Sequence, residues 1–185
     1  MKFRVFCLAA LPCFSVSAQS LQDLGDLTAD QQGRSFASAV SADGSTVVGN
    51  AFYDLAAGWT GTHAFVWTGA GGMQDLGDLM ANQQGGSYAY AVSADGSTVV
   101  GQADYDLAAG GIGAHAFRWT SAGGMQDVGD FTADQQGYSY ARAVSADGSV
   151  VVGQAEYDLT AGGTDRKSTR LNSSHGASSG VASRA

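Results

Sequence analysis

The chain has 185 residues, of which 44% are apolar and only 14% are charged, and its net charge is −8 at pH 7. This composition is too apolar and too weakly charged for a disordered acidic tail, and the length suits one domain or part of a larger one. The acidic balance argues against nucleic-acid binding, because phosphate contacts need clustered lysine and arginine.

The N-terminal segment, 1–18, has the layout of a secretory signal peptide. Lys2 and Arg4 form a basic start, an apolar stretch covers residues 5–14, and small residues precede a cleavage point after Ala18. The apolar stretch is too short to span a bilayer as a helix. Both cysteines lie inside this segment, so the exported chain would hold no disulfide. The alternative is a short buried N-terminal strand.

A sequence repeat organises the segment 19–163. Gln-Asp-Leu/Val-Gly-Asp begins at 22, 74 and 126, Ser-Ala-Asp-Gly-Ser at 41, 93 and 145, and His-Ala-Phe-x-Trp at 63 and 115, so every offset is 52. A fixed period of about this size is typical of solenoids, propellers and blade arrays. The segment contains 16 acidic residues and three arginines, a net charge of −13 that favours solubility and repels anionic membranes.

Each period predicts four strands and no sustained helix. In the first copy alternation places Phe36, Ser38 and Val40 on one face of the first strand. The Asp-Gly pair at 43–44 predicts a two-residue hairpin turn, and the spacing of the leucines around Gly77 predicts a β-bulge there. The four predicted strands of this copy cover residues 35–42, 45–53, 63–68 and 73–79.

Four short strands in each period predict an all-β fold built of incomplete, β-propeller-like, four-stranded blades. The alternative is a parallel β-helix in which one period makes two coils. The Asp-Gly hairpin favours the propeller, because neighbouring strands of a β-helix are parallel and have no tight hairpins. The copies present would leave a propeller ring open, with exposed strand edges.

The repeat stops matching at residue 164. Residues 125–163 match 73–111 at 30 of 39 positions, whereas residues 164–185 match 112–133 at only 4 of 22. Residues 165–175 resemble the translation of a sequencing-library adapter. We therefore interpret 164–185 as a non-native tail and the chain as truncated. The alternative is a natural, basic, serine-rich tail.

The His-Ala-Phe strands, each followed by Trp and then by Gln-Asp-Leu/Val-Gly, resemble the HAF repeat of bacterial extracellular proteins. The Ala-Val-Ser-Ala-Asp-Gly-Ser element with its trailing Val-Val-Gly fits the same pattern. The resemblance covers about residues 21–163. It implies an exported surface protein, in some relatives the passenger of an autotransporter barrel, and no defined catalytic chemistry.

No catalytic, cofactor or metal site is predicted. His63 and His115 share a strand face with Phe and Trp, which favours packed, hydrogen-bonded histidines over a metal ligand or general base. Asp43 is explained as a turn residue. Neither the EF-hand spacing nor the Gly-Gly-x-Gly-x-Asp nonapeptide of calcium-binding repeats is present. Asp23 and Asp26 would point to opposite faces of a regular strand, which argues against a carboxylate pair. The nucleophile-elbow pattern of hydrolases does not occur in the repeats.

Positions that differ between the copies indicate a binding face. Where the first copy has Arg34, Phe36 and Ser38, the later copies carry mostly tyrosine or arginine, residues that are enriched at interfaces. The alternative is neutral variation on a solvated surface. Val66 aligns with Arg118, which predicts that this side of the third strand is wet. The candidate binding face comprises Tyr88, Tyr90, Tyr138, Tyr140 and Arg142.

The sequence therefore predicts an exported, non-catalytic repeat protein at the cell surface or outside the cell, acting in binding or adhesion. Its partner would be a protein or a glycan, and it would need no cofactor. The alternative is a secreted β-propeller enzyme whose active site lies in sequence absent from this chain.

Overall fold

The computed structural model describes residues 21–55, 60–159 and 162–172, so the predicted signal peptide lies outside the described residues. These ranges contain strands and loops, with no helix able to cross a bilayer. The first sheet consists of β1 (Ser35–Val40), β2 (Thr46–Asp54), β3 (Thr60–Thr68) and β4 (Gly72–Asp75). The second consists of β5 (Ser87–Val92), β6 (Thr98–Asp106), β7 (Ile112–Thr120) and β8 (Gly124–Gly129). The third consists of β9 (Ser139–Val144), β10 (Val150–Asp158) and β11 (Thr164–Asn172).

Each sheet is an antiparallel meander, in which strands that follow each other in sequence are neighbours in space. Equivalent strands begin one period apart, as at Ser35, Ser87 and Ser139. The predicted all-β, repeated architecture is confirmed. The parallel β-helix is wrong, because every strand ladder among the described residues is antiparallel.

The hairpin between β1 and β2 forms at the predicted place, but its loop has five residues, 41–45, instead of two. Gly44 takes φ +75°, and its N–H donates to the Ser41 carbonyl at 3.0 Å. The Asp43 carboxylate accepts hydrogen bonds from the Ser41 hydroxyl and from the N–H and hydroxyl of Ser45. These bonds lower the pKa of Asp43 to about 2. The side chain therefore fastens the turn, as expected for an aspartate at this position.

A β-bulge interrupts the first strand of each sheet. In β1, Ser38 has no ladder partner, because Ala37 pairs with Gly49 and Ala39 pairs with Val48. Consecutive residues of β2 point to opposite faces of the sheet, and paired residues share a face. The two alanines, although two residues apart, therefore lie on opposite faces.

The predicted common face for Phe36, Ser38 and Val40 is wrong for the same reason. Phe36 pairs with Asn50 and Val40 with Val47, and these two partners point to opposite sides of β2. An extra residue in the strand reverses the alternation beyond it. The bulge recurs in the other two sheets, at Tyr90 and Arg142.

The bulge requires a glycine on the facing strand. A Cβ on Gly101 would overlap the carbonyl oxygen of Tyr88 and would lie 2.8 Å from the Phe117 ring. A strand glycine here marks a close approach of two backbones. Gly49 and Gly153 meet the equivalent carbonyl oxygens in their own sheets.

The fourth strand is shorter than predicted in the first sheet, where β4 ends at Asp75. In the second sheet β8 reaches Gly129, and the register there skips Val128. The bulge predicted at Gly77 is thus observed in the second copy, one position before the equivalent glycine. Gly77 itself takes φ +71°, which turns the chain out of the sheet.

The sheets stack face to face. Each has a histidine face, which carries His63 or its equivalent, and a valine face, which carries Val48 or its equivalent. The valine face of one sheet packs against the histidine face of the next. The first of these interfaces contains Val48, Ala64, Val66 and Leu76 opposite Ala89, Val99, Ala103, Phe117 and Trp119. The second contains Val100 and Ala116 opposite Ala141 and Val151.

The third strand is not wet on its valine face, contrary to the prediction from its sequence. Val66 is 7% exposed, because the second sheet covers it. Arg118 holds the same position on β7, where its Nη2 donates to the Thr98 hydroxyl at 3.4 Å. Its Nε is buried without a hydrogen-bond partner among the described residues.

The third sheet has a different third strand. β11 pairs with β10 in the register that β7 has with β6, with Val150 opposite Asn172 as Thr98 is opposite Thr120. Its side chains from 164 to 170 are exposed or half-buried, whereas residues 113–117 of β7 are buried. Backbone pairing thus occurs without the packing of the repeat. This is consistent with a non-native tail, which stays a prediction.

A cavity lies where the third sheet lacks an aromatic ring. Thr169 of β11 occupies the position of Phe65 and Phe117, both fully buried. It lines a cavity together with Gly153 and Ala155 of β10. In the second sheet the equivalent space above Gly101 is filled by the Phe117 ring.

We expect Thr169→Phe to stabilise the protein by about 1–2 kcal/mol, because the ring would fill this cavity and bury apolar surface. Urea unfolding measures the change. Thr164→Phe is the matched control, because Thr164 is exposed at the start of the same strand. A gain no larger than that of the control would show that the cavity does not fit a phenylalanine.

Candidate functional site

A buried histidine lies between two aspartates in each of the first two sheets. The Nδ1 atom of His63 is 2.9 Å from the Asp75 carboxylate, and its Nε2 atom is 3.3 Å from Asp78. His63 is only 2% exposed. The second sheet repeats the arrangement with His115, Asp127 and Asp130, at distances of 2.9 and 3.2 Å. We call each unit an Asp-His-Asp clamp.

The chain turns at a glycine to bring the two aspartates together. Asp75 ends β4, and the N–H of Gly77 donates to its carboxylate at 2.7 Å. Because Gly77 takes φ +71°, the strand does not continue, and Asp78 returns to the same histidine. Asp23 and Asp26 were expected to point to opposite faces of a regular strand. In the equivalent pair, Asp75 and Asp78, both aspartates reach the same histidine, because the backbone between them is not a strand.

A glutamine braces the inner aspartate of the clamp. Gln83 has φ +52°, and its side chain donates to the carbonyls of Asp78 and Met80 and accepts from the Asp78 N–H. The Asp78 carboxylate also accepts from the N–H groups of Met80 and Gly85 at 2.6 Å each. A carboxylate with several N–H partners is held firmly in place.

A tyrosine closes the other side of the imidazole. The Tyr53 ring stacks on His63 with the ring centres 3.7 Å apart and the planes 13° from parallel. Its hydroxyl lies 3.3 Å from the carbonyl oxygens of Gln83 and Gly85, to which it donates. Tyr105 stacks on His115 in the same way. Burial, with the charge of the neighbouring Asp130 acting in the same direction, raises the pKa of Tyr105 to about 12.

Both ring nitrogens of each clamp histidine face carboxylates, which favours the protonated ring. A neutral imidazole has one N–H and could donate to only one aspartate. Burial lowers the pKa of His63, but hydrogen bonds and charge from Asp75 and Asp78 outweigh burial, so that the net shift is upward. The pKa of His115 is raised by the same balance. The imidazole therefore has neither a free nitrogen nor solvent access, and its contacts are those of a structural cation.

The residues of the candidate binding face lie elsewhere, on the bulged first strands. The Arg142 guanidinium carbon is 4.9 Å from the centre of the Tyr90 ring and 5.4 Å from that of Tyr140. Tyr90 and Arg142 are the bulged residues of adjacent sheets. Burial raises the pKa of Tyr90, the Arg142 charge opposes this rise, and Tyr88 and Tyr140 reinforce it. These four residues therefore form one cluster, which we call the tyrosine-arginine patch.

Tyr138 does not join this patch. It precedes β9, its backbone pairs with Glu156, and its charge acts on Tyr105 beside the clamp of the second sheet. It is 38% exposed. Arg166 of β11 approaches the patch, 5.7 Å from the Tyr140 ring, but also bonds Glu156.

The sequence contained a signal for the clamps that single-residue reasoning missed. Each histidine at position i has one aspartate at i+12 and another at i+15. Repeated together, these spacings link the third strand to the segment that follows the fourth.

No protein-family description, curated protein or solved structure matches the chain. Across the described ranges, no group of three or more His, Cys, Asp or Glu side chains is arranged to hold a metal ion. The geometry of the side chains is therefore the basis for the functional argument.

We expect His115→Gln to lower the unfolding free energy by about 3 kcal/mol near neutral pH, because it leaves two aspartates without their cation. Thermal or urea unfolding measures this loss. His175→Gln, in the predicted non-native tail, is the control and should leave stability unchanged. Equal stability of the His115→Gln and parent proteins would contradict the clamp's role.

The clamps also set the sign of the pH dependence. Because the folded pKa of each clamp histidine is raised, the stabilisation is complete below the unfolded value near 6.5 and is lost as pH rises through the folded value. We expect unfolding free energy to fall as pH rises above about 6.5 and the slope to be smaller in the double variant His63→Gln/His115→Gln. A slope unchanged in that variant would contradict this assignment.

Proposed function

We propose that this protein is an exported, non-catalytic binding protein whose ligand contacts the tyrosine-arginine patch. The main support is the contact between Tyr90 and Arg142, which occupy the same bulged position on adjacent sheets. The residue at this position differs between the copies. Arginine and tyrosine are, with tryptophan, the residues enriched in binding hot spots. A constant scaffold with different side chains at one position is a way to build such a face.

The proposed scaffold is a set of propeller blades. Support comes from the meander order of the sheets and from their stacking with the first strands next to one another. Backbone hydrogen bonds of 3.0 Å also run from the Ala42 N–H to the Ala94 carbonyl and from the Ala94 N–H to the Ala146 carbonyl. A bond repeated at the same turn between each pair of neighbouring sheets is expected when every blade is related to the next by the same rotation and translation.

The absence of catalysis is likewise a proposal, and the clamps support it. Each clamp histidine has both nitrogens engaged and a tyrosine stacked on its ring. A general base needs a free nitrogen within reach of a substrate proton. The contacts of the clamp residues are thus accounted for by a structural role in the fold. Export rests on the predicted signal peptide, on the repeats and on their acidic surface.

The proposal is tested by probing the purified protein against a glycan microarray and against whole bacterial and animal cells. We expect specific binding that Tyr90→Ser or Arg142→Ser weakens at least about tenfold, because each removes one hot-spot side chain. Serine is the residue that the first copy carries at this position, Ser38, so the bulge should be retained.

Tyr138→Ser is the matched control, because Tyr138 is an exposed tyrosine outside the patch. It should bind as the parent protein does. Absence of binding to every array and cell, or binding that the two patch variants leave intact, would contradict the proposed function.

A further inference from the structure

The segment from Leu21 to Asp26 has the sequence of a fourth strand and its turn. Leu-Gln-Asp-Leu-Gly-Asp at 21–26 corresponds to Met-Gln-Asp-Leu-Gly-Asp at 73–78. In the first sheet the residues at 73–75 pair with the His-Ala-Phe-Val-Trp strand β3. Residues 21–26 pair with no strand in the part of the chain that the structure describes. Leu21 is fully exposed.

This segment already has the shape of half a clamp. Gly25 takes φ +80°, and its N–H donates to the Asp23 carboxylate at 3.0 Å, as Gly77 does to Asp75. Asp26 is only 8% exposed and is braced through its backbone by Gln31, the counterpart of Gln83. Among the described residues, no imidazole contacts Asp23 or Asp26.

A serine supplies an independent third group. In the second and third sheets, Ser87 and Ser139 each accept a hydrogen bond of 2.8 Å from the alanine N–H of the preceding His-Ala-Phe strand, at Ala64 and Ala116. Both serines are at most 1% exposed. Ser35 is their equivalent and donates to the Gly25 carbonyl in the same way, but it is exposed, and no described alanine N–H reaches it.

We propose that residues 21–26 and Ser35 form a docking site for a further strand of sequence His-Ala-Phe-x-Trp. Its histidine would lie between Asp23 and Asp26, and its alanine N–H would donate to Ser35. The ladder of the first sheet gives the register, with the incoming Phe opposite Asp23 and the incoming Trp opposite Leu21. Strand addition to such an edge combines main-chain bonds with side-chain pockets.

An extra repeat is the occupant that fits this site. In an intact second copy, β3 lies between β2 and β4, and β7 between β6 and β8, so neither has a free edge. β11 is an edge strand, but it has Lys167, Ser168 and Thr169 where the repeats have His-Ala-Phe. The inference does not depend on the proposed ligand or on a closed ring, although a strand from the last blade of a propeller would close one.

The test is titration of the ¹⁵N-labelled full chain with a peptide of residues 60–68, Thr-Gly-Thr-His-Ala-Phe-Val-Trp-Thr. We expect weak, saturable binding with shifts in the amides of residues 21–28 and of Ser35. A peptide with alanine in place of its histidine should bind about tenfold less tightly, because it loses a charged hydrogen bond. A protein with Asp26→Asn should lose a similar factor.

A double-mutant cycle separates clamp formation from unfolding of the segment. With Asp26→Asn already present, the histidine-to-alanine peptide should cause little further loss. Asp30→Asn, in the same connector but without a clamp counterpart, is the control and should bind the parent peptide normally. The proposal would be overturned by the absence of binding up to millimolar peptide, or by additive losses in the cycle. It would also be overturned if a second copy of the chain occupied residues 21–28 through its edge strand β11, which a dimer abolished by Lys167→Glu would show.

Discussion

In each of the first two sheets, a buried imidazole between two carboxylates connects the third strand to the fourth strand and to the connector that leads into the next sheet. Burial alone would favour the neutral imidazole, so the charged form depends on both aspartates being present and well aligned. The glycine turn, the glutamine brace and the stacked tyrosine each serve that alignment. This explains why His, Asp, Gly, Gln and Tyr recur together in the two complete periods of the repeat.

The second constraint is the bulge in the first strand. It sets small alanines against both neighbouring sheets and leaves one residue per sheet without a ladder partner. That residue is free of the ladder pairing that fixes its neighbours, so it can vary as serine, tyrosine or arginine while the scaffold stays the same. The proposed binding function follows from this division, since the clamps hold the sheets and the bulges display the side chains.

The strands and their order followed from patterns that the sequence displays openly. Alternation, the Asp-Gly turns and the period gave an antiparallel all-β architecture, and the structure confirms it. The prediction of which residues share a face of the first strand was wrong. The bulged residue, Ser38, has no feature in a single sequence that distinguishes it from any other strand residue. The orientation of Asp23 and Asp26 was misjudged because strand geometry was assumed across Gly25, where the backbone has left it. Val66 was misjudged because stacking of whole sheets is a tertiary effect that its alignment with Arg118 does not reveal.

The central claim is that the clamp histidines are buried cations in the folded protein. The most direct measurement is the ¹⁵N chemical shift of the two ring nitrogens of His63 and His115 at neutral pH. Two protonated nitrogens in each ring are expected, with deprotonation only above the ordinary histidine pKa, because four aspartates face the two rings. A neutral tautomer at pH 7, with one bare nitrogen turned toward an aspartate, would contradict the account.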